Sequence, residues 1–362
     1  MLSEYLKKVK EQSVYEEASD LKIVYTPLHG TGNIPVRRMI DGMNVTVVKE
    51  QEMPDGNFST VRSPNPEEKD ALTIAIEKAK EIGGDLVLGT DPDCDRVGIA
   101  VPDGDGYALF SGNEVGAMLL EYIADQSIKK GIMPENPIAV KTIVTTDIVN
   151  SIGKEYGVEI IDVLTGFKFI GEQIGFLEEK GEENRYIFGF EESYGYLSGA
   201  YVRDKDAVNA SMLICEMAAF YRTKGISMLQ ARENMYKKYG VYTHTQKSFT
   251  CEGATGMQKM KELMTMLRTD TPKAIGGLAV IRFDDYLAST SLDCKTGDKT
   301  MLTLPKSDVL TFALEGNASV IIRPSGTEPK IKAYYTTTGA TKAEADALEE
   351  KISADFQKIL GF

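Results

Sequence analysis

Residues 85–104 read DLVLGTDPDCDRVGIAVPDG, a short apolar run that leads directly into a cluster of acidic side chains. The apolar run predicts a buried strand. If the chain stays extended beyond it, alternate side chains point the same way, and Asp91, Asp93 and Asp95 converge on one point. Like charges so close require a positive partner, and oxygen ligands alone suit a hard cation such as Mg²⁺ or Ca²⁺. Arg96, the next residue, indicates an anionic ligand, because guanidinium binds phosphate or carboxylate through paired hydrogen bonds.

Other interpretations of the acidic cluster can be tested on the same residues. A calcium-binding EF-hand loop is excluded, because it needs Gly at its sixth position and Glu at its twelfth, where this chain has Arg96 and Pro102. An aspartyl-phosphate phosphatase, with Asp91 as nucleophile and Asp93 as acid/base, stays open. So does an ordinary polar turn after a strand. The spacing favours the divalent-metal site.

Composition limits the classes of protein to consider. The chain has 362 residues, enough for two to four domains, and a net charge of -13, which argues against nucleic acid or an anionic membrane as a partner. It contains no apolar run of transmembrane length, and its N-terminus lacks the apolar core of a signal peptide. Its four cysteines show no metal or disulfide spacing, so we expect reduced thiols and a cytoplasmic protein.

Apolar and polar segments alternate along the chain in a repeated order. Strand, helix, strand, helix, strand and a polar loop are predicted first up to the acidic cluster and then again from Pro137 onward. We therefore predict an α/β fold with two similar mixed-sheet domains, at 1–131 and 132–246. The last part, 247–362, has more predicted strands than helices and is predicted to be a smaller α+β domain.

The predicted elements have the following bounds. Strands are expected at 22–25, 45–48, 85–89, 138–144, 158–163, 186–190, 278–283, 319–322 and 331–335, and helices at 34–41, 67–81, 148–156, 255–268 and from Lys342 onward.

Two loops of the second predicted domain carry polar groups. In EESYGYLSGAYVRDKDA, Glu191 and Ser193 can hydrogen-bond adjacent sugar hydroxyls, and Arg203 and Lys205 add positive charge. The alternative is a solvated run of paired ions.

The other loop is Thr165-Gly166-Phe167-Lys168. Gly166 opens the backbone, and Thr165 and Lys168 supply donors. The alternative here is a helix N-cap beside an exposed lysine.

The third predicted domain contains RPSGTEPK between two strands. Arg323 can bind phosphate with two hydrogen bonds, Ser325 and Thr327 offer hydroxyls, and Gly326 lets successive N–H groups turn inward around an anion. An ordinary turn with a surface arginine explains the same residues. The loop alone does not decide between the two.

Together these stretches resemble a known family. GTDPDCDR resembles the metal loop of the α-D-phosphohexomutases, the phosphoglucomutase/phosphomannomutase family; GFEESYGYL resembles their sugar-binding loop, and RPSGTEPK their phosphate-binding loop. TGFKF and YTPLHGTGN also match. The motifs occur in family order over nearly the whole chain. The EES sequence indicates the glucose-preferring branch.

The resemblance implies a mechanism and a set of roles. A phosphoserine gives its phosphoryl group to a hexose phosphate, and glucose 1,6-bisphosphate, the intermediate, turns around and returns its other phosphoryl group. By resemblance, Mg²⁺ is bound by Asp91, Asp93 and Asp95, Arg96 contacts the phosphosugar substrate, and the sugar is bound by Thr165, Gly166, Lys168, Glu191, Ser193, Arg203 and Lys205. By the same resemblance, the non-reacting phosphate is bound by Arg323, Ser325, Gly326, Thr327 and Lys330.

The chain departs from the family pattern at two places. It contains no Ser-His-Asn-Pro motif, the setting of the family's nucleophilic serine; Ser63, in RSPNP, lacks the histidine and the small neighbours. The chain begins where the family's second domain begins, so we expect the N-terminal phosphoserine domain to be a missing partner and this chain alone to be inactive. Tyr201 stands where relatives carry a histidine, which leaves the general base open. His29, a lone histidine in a Gly-rich loop, is more often structural than catalytic.

Three functions follow as hypotheses. The first is a phosphoglucomutase without its catalytic serine. The second is a metal-dependent phosphatase that uses Asp91. The third is a non-catalytic phosphosugar-binding module.

Overall fold

The computed structural model describes residues 1–15, 19–251, 256–325 and 329–362, which fall into two units, Met1–Met235 and Tyr236–Phe362. Helices of the first unit are α1 Leu2–Lys10, α2 Asn33–Met39, α3 Lys69–Ile82, α4 Gly112–Lys130, α5 Ile148–Tyr156, α6 Phe167–Glu178, α7 Ala207–Thr223 and α8 Met228–Tyr239, whose last turn belongs to the second unit. Its strands are β1 Lys22–Thr26, β2 Asn44–Val47, β3 Leu86–Thr90, β4 Val97–Asp103, β5 Gly106–Phe110, β6 Ile138–Thr142, β7 Glu159–Val163, β8 Tyr186–Phe190 and β9 Tyr196–Leu197, with 3₁₀ turns at Lys49–Gln51 and Glu183–Arg185.

The sheets of the first unit share one strand order. The first runs β2-β1-β3-β4-β5, and the second runs β7-β6-β8-β9. In each sheet one strand, β1 or β6, is parallel to both of its neighbours and is the central strand of the parallel part. On the far side of β3 or β8, strand β4 or β9 runs antiparallel to it. This confirms the prediction of two similar α/β mixed sheets. The loops that follow β3 and β8 therefore occupy equivalent positions.

Helix α3 shows why the first sheet folds. Its apolar residues Leu72, Ala75 and Ala79 recur at helical spacing, and all three are buried against residues of the first sheet that include Val87. Gly83 ends the helix with a left-handed φ of 65°, a conformation that glycine adopts without steric cost. Truncating Leu72 to alanine would cost about 2–5 kcal/mol.

Helix α4 packs beside the second sheet, where it contacts α5, α7 and β8. A Cβ on Gly116 would lie 2.0 Å from the Phe190 ring, so only glycine permits this close approach. The helix begins with a capping box, in which Ser111 and Glu114 each accept a hydrogen bond from the other's backbone N–H. The predicted domain boundaries at 131/132 and 246/247 stay predictions.

The second unit is built on an antiparallel sheet. Its strands are β10 Val241–Thr250, β11 Ala274–Ile275, β12 Leu278–Asp285, β13 Thr290–Asp293, β14 Lys299–Met301, β15 Leu310–Leu314, β16 Ala318–Pro324 and β17 Lys330–Gly339; its helices are α9 Gly256–Thr269 and α10 Lys342–Ile359, with a 3₁₀ turn at Glu315–Asn317. The order is β10-β17-β16-β15-β12-β13-β14, and β11 pairs with β12. Met264, Phe312, Tyr335 and Phe356 belong to one buried cluster between sheet and helices. The α+β prediction is confirmed.

Among the described residues, no helix is both long and apolar enough to cross a bilayer.

Candidate functional site

The acidic loop after β3 is a tight turn and not the extended segment considered above. Residues 92–95 form turns and bends, and Cys94 has a left-handed φ of 60°. The carboxylate oxygens of Asp91, Asp93 and Asp95 nevertheless lie within 4.8 Å of one another. The predicted convergence therefore occurs, but the turn produces it, not strand alternation.

Asp91 is the buried centre of this loop. Its Oδ1 accepts the backbone N–H groups of Asp95, at 3.0 Å, and Arg96, at 2.9 Å, and its Oδ2 accepts Arg96 Nε at 2.9 Å. Burial raises the pKa of Asp91 to about 6, and the charges of Asp95 and Asp93 add to the rise. A cation beside the three carboxylates would reverse that rise.

The donor set fits a Mg²⁺-class ion. Among the described residues, Asp95 Oδ1 is buried without a hydrogen-bond partner, and Arg96 Nε lies 3.6 Å from it. Asp93 is exposed and contributes a third carboxylate. Clustered carboxylate oxygens, one of them lacking a hydrogen-bond partner, are what a hard divalent cation requires.

The loop after β1 packs directly against the acidic loop. A Cβ on Gly30 would lie 2.4 Å from Pro92 Cα, and the Thr31 N–H donates to the Pro92 carbonyl at 2.8 Å. His29 has both ring nitrogens within hydrogen-bond distance of a partner in its own surroundings, with Nδ1 2.8 Å from the Met53 carbonyl and Nε2 2.7 Å from Thr60 Oγ1. The histidine therefore fixes loop structure.

The loop after β8 begins with a second buried carboxylate. Glu191 Oε1 accepts the Gly166 N–H at 2.9 Å, and Gly166 has a φ of 116° that favours glycine. This bond joins the Thr165–Lys168 loop to the EES loop, residues 191–195. Burial raises the pKa of Glu191 to about 7, and the charge of Glu192 adds to the rise. Ser193 lies half-buried two residues further on.

The acidic loop and the EES loop are joined directly. Arg96 and Gly195 form an antiparallel β-bridge, and the Val97 N–H donates to the Tyr194 carbonyl at 3.1 Å. Lys205 Nζ lies 2.7 Å from Asp95 Oδ2. The predicted metal residues, Arg96, Lys205 and the EES loop thus lie in one region of the first unit.

Two predicted sugar-binding side chains have other contacts. Lys168 is exposed, with Nζ 4.8 Å from the centre of the Phe169 ring. Arg203 pairs with Glu178 of α6 at 2.6 Å and donates to the Ala200 carbonyl at 2.6 Å. Neither contact leads to the acidic loop.

The predicted phosphate loop lies in the second unit. Arg323 and Lys332 are opposite each other in the β16–β17 pair, and the Ser325 N–H donates to the Lys330 carbonyl at 2.8 Å. Arg323 Nε donates to Tyr334 Oη at 3.2 Å. Gly326 and Thr327 lie outside the described residues.

Comparison with known proteins decides the family. Profiles of the phosphoglucomutase/phosphomannomutase family match residues 3–104 (α/β/α domain II), 111–239 (α/β/α domain III) and 304–354 (C-terminal domain). The chain belongs to this family. The predicted resemblance is confirmed.

Relatives in the family are matched over most of this chain. A Staphylococcus aureus (strain bovine RF122 / ET3-1) protein named phosphoglucomutase is 38% identical over 337 residues, which cover 92% of this chain and 60% of the relative. The Staphylococcus aureus (strain MRSA252) phosphoglucomutase is 37% identical with the same coverage. This chain therefore spans about three fifths of the length of these relatives.

Solved structures show the same fold. The open form of pp63/parafusin, a phosphoglucomutase from Paramecium, matches with a TM-score of 0.69 at 16% identity, over 99% of this chain and 61% of that one. A serine-to-alanine variant of the Aspergillus fumigatus N-acetylphosphoglucosamine mutase, solved with glucose 1,6-bisphosphate, matches with a TM-score of 0.54 at 13% identity, over 98% and 64%.

The sequence did not predict that the Pro-rich loop, residues 62–68, contacts Arg96. Arg96 Nη1 contacts Glu67 Oε1 at 3.1 Å and Asn65 Oδ1 at 3.5 Å. The loop packs tightly on β4, because a Cβ on Gly98 would lie 2.3 Å from the Pro66 carbonyl oxygen. The available signal was RSPNPEE itself, in which prolines restrict the backbone around polar residues. Ser63 lies in the same loop.

Asp206 was also missed, although it organises the segment that carries Lys205. Its side chain caps α7 by accepting the N–H groups of Val208 and Asn209, at 2.9 and 3.0 Å. Tyr201 donates to it at 2.6 Å and Tyr5 at 2.8 Å. The Tyr201 hydroxyl is therefore engaged, and its burial beside a carboxylate raises its pKa. An aspartate directly before an apolar helix was the signal for this cap.

Proposed function

We propose that this chain supplies the metal, sugar and phosphate loops of a phosphoglucomutase, which interconverts α-D-glucose 1-phosphate and glucose 6-phosphate by intramolecular phosphoryl transfer. The observation that carries the proposal is the junction of the acidic triad with the EES loop, through the Lys205–Asp95 pair and the Arg96–Gly195 bridge. The relatives named phosphoglucomutase and the EES sequence favour glucose as the sugar.

In this proposal Mg²⁺, when bound by Asp91, Asp93 and Asp95, offsets the negative charge of the transferring phosphoryl group. Arg96 and Lys205 supply fixed positive charge at the same place. They orient an anionic substrate without reorganising, because both are already bound to carboxylates of the loop.

In this proposal the sugar is bound by the loops around Glu191. Its carboxylate and the Ser193 hydroxyl bind vicinal sugar hydroxyls in either orientation of glucose 1,6-bisphosphate, the intermediate and activator. Thr165, Gly166, Lys168 and Arg203 lie on the adjoining segments. The non-reacting phosphate is bound by Arg323, Ser325, Gly326, Thr327 and Lys330.

The nucleophile is proposed to come from polypeptide outside residues 1–362. The sequence contains no Ser-His-Asn-Pro motif, and phosphoryl transfer needs a positioned nucleophile that metal and phosphate binding cannot replace. We therefore expect residues 1–362 to bind Mg²⁺ and glucose 1-phosphate and to turn over negligibly. Free cysteines support a cytoplasmic location for the whole protein.

The experiment is conversion of glucose 1-phosphate to glucose 6-phosphate, with Mg²⁺ and glucose 1,6-bisphosphate present. We expect no turnover by residues 1–362, and turnover once a family phosphoserine domain is joined covalently, because linkage raises its effective concentration. A chain that binds glucose 1-phosphate but stays inactive after joining would favour the non-catalytic binding module.

Turnover by residues 1–362 alone would contradict the proposal, and two variants identify the cause. Loss on Ser63→Ala would make the Pro-rich loop the source of the nucleophile. Loss on Asp91→Asn, with no effect of any serine substitution, would favour transfer through an aspartyl phosphate at Asp91.

A further inference from the structure

A buried lysine lies near the C-terminal end of the central strand β6. Lys141 is 2% exposed, and its Nζ lies 2.6 Å from Asp162 Oδ1 and 3.0 Å from Asp147 Oδ1. Burial alone would lower the pKa of this ammonium, but the two carboxylates outweigh it and raise the pKa. A charged lysine therefore sits beneath the segment that leaves the sheet.

Lys141 holds that segment in a defined turn. Its Nζ donates to the Thr145 carbonyl at 3.3 Å, and the Thr145 N–H donates to the Thr142 carbonyl at 3.0 Å. The Asp147 carboxylate, at the end of the turn, forms an ion pair with the same ammonium. Thus one cation binds both the middle and the end of residues 142–147.

The turn presents two threonine hydroxyls to the EES loop. Thr142 Oγ1 and Thr145 Oγ1 lie 2.7 Å apart, and they lie 3.3 and 3.4 Å from Glu192 Oε2. Each hydroxyl has a single proton. One threonine therefore donates to the other, and the second donates to Glu192.

We infer that Lys141 is a positioning residue for sugar binding, acting through the Thr142–Thr145 pair on Glu192. Glu192 lies between Glu191 and Ser193, so fixing its carboxylate fixes the backbone from which both neighbours project. The inference rests on the proposed function, because that function assigns the sugar contacts to these two neighbours.

The repeat of the fold supports this inference. The turn 142–147 follows β6 as the loop with Gly30 and Thr31 follows β1, and both follow the central strand of a sheet. The β1 loop supports the acidic loop through direct backbone contact with Pro92. The β6 turn supports the EES loop through hydroxyls and a buried charge. Equivalent segments thus do equivalent work in both sheets.

The test compares glucose 1-phosphate affinity in two variants, measured by calorimetry. Thr142→Val/Thr145→Val removes the hydroxyls while keeping side-chain size, and Lys141→Met removes the charge. We expect each to weaken glucose 1-phosphate binding by about tenfold, with Mg²⁺ affinity unchanged. Lys129→Met, which breaks an exposed Lys–Asp pair on α4, is the control and should bind like the parent chain.

Coupling separates positioning from plain stability. If the threonines act through Glu192, Glu192→Ala, which removes the acceptor, should weaken sugar-phosphate binding equally, and adding it to the double valine variant should cost little more. The inference is overturned if the double valine variant binds as the parent does, or if the two losses add fully. Should Lys141→Met fail to fold, the valine variant still tests the threonine pair through which Lys141 is inferred to act, and binding like the parent would overturn the inference. A parent chain that does not bind glucose 1-phosphate would instead count against the proposed function.

Discussion

The acidic loop 91–96 and the EES loop 191–195 are equivalent segments with different chemistry. They follow β3 and β8, which hold the same place in sheets of the same strand order. Each begins with a buried carboxylate, Asp91 or Glu191, and each contains a non-glycine residue with left-handed φ, Cys94 at 60° and Tyr194 at 66°. In both, the N–H of the first residue is bonded to a carbonyl at the far end of the loop.

The difference lies in what surrounds the two carboxylates. Asp91 accepts a guanidinium and two N–H groups and stands among further carboxylates, so its loop is a cluster of alternating charge. Glu191 accepts one N–H, from Gly166, and its loop carries no arginine. The first arrangement suits a cation and a phosphoryl group, and the second suits neutral hydroxyls. The same arrangement of strand and loop thus suits two kinds of ligand, depending on the charged side chains that the loop carries.

The largest expected effect is a loss of Mg²⁺ binding by the acidic loop. Asp91→Asn/Asp93→Asn/Asp95→Asn removes every charged ligand of the cluster, so Mg²⁺ affinity should fall by more than roughly 100-fold, beyond the range typical of outer-shell changes. Titration calorimetry measures it. Asp103→Asn/Asp105→Asn, which changes two exposed acids at the turn from β4 to β5, is the control and should bind Mg²⁺ normally. Unchanged affinity in the triple variant would remove the proposed metal site.

Much of this frame could be predicted, because strands β1, β3, β6 and β8 are short, largely apolar runs flanked by turns. Helix α5 was predicted with its observed bounds, since its stripe is amphipathic and ends at Gly157. Helix α7 was not predicted. It is buried at every position from Ala207 to Phe220, and a helix buried all round has no polar face to reveal its period.

The site was predictable where one segment supplies the chemistry, as in the Asp91–Arg96 cluster. It was not where distant segments meet. The Lys205–Asp95 pair and the Arg96–Glu67 pair join residues 110 and 29 positions apart. Such contacts depend on how the sheets pack, which local pattern does not specify. The acidic side chains converged as expected, but by a turn that only the backbone conformation reveals.

A second prediction uses the second loop's buried acid. Because the pKa of Glu191 is raised from 4.5 to about 7, the folded chain keeps a proton that the unfolded chain releases across this range. The stability that this proton supplies is complete below pH 4.5 and is lost as pH rises through 7. The loss is about 3 kcal/mol at 1.36 kcal/mol per pKa unit.

Glu191→Gln should remove this part of the pH dependence, since a glutamine side chain does not titrate. Urea unfolding of the parent chain and the variant at pH 5 and pH 8 gives the difference directly. Glu172→Gln, on α6, is the control and should follow the parent, because Glu172 is exposed. If the parent chain and Glu191→Gln lose the same unfolding free energy between pH 5 and pH 8, Glu191 is ionised like a surface acid. The two loops would then differ less in their electrostatics.

The smallest expected effect is a moderate loss of Mg²⁺ affinity on changing Gly30, in the loop after β1 that packs against the acidic loop. Gly30→Ala places a Cβ 2.4 Å from Pro92 Cα and 2.6 Å from its carbonyl oxygen, so the backbone that carries Asp91 and Asp93 must shift. Outer-shell disturbances of this kind cost roughly 10- to 100-fold in metal affinity. We expect the lower end, about tenfold, because the three carboxylates themselves remain.

Gly56→Ala is the matched control for that substitution, since a Cβ at Gly56 meets nothing within 4 Å. Mg²⁺ titration of both variants should show a loss only for Gly30→Ala. Glucose 1-phosphate binding measured without Mg²⁺ should be the same in both, because the second loop is supported by its own turn at 142–147. If Gly30→Ala binds Mg²⁺ as tightly as Gly56→Ala does, the loop after β1 does not set the position of the acidic cluster. The segment after β1 would then not support the loop of the neighbouring strand in the first sheet, and the two sheets would no longer be parallel in the way that supports the role of Lys141.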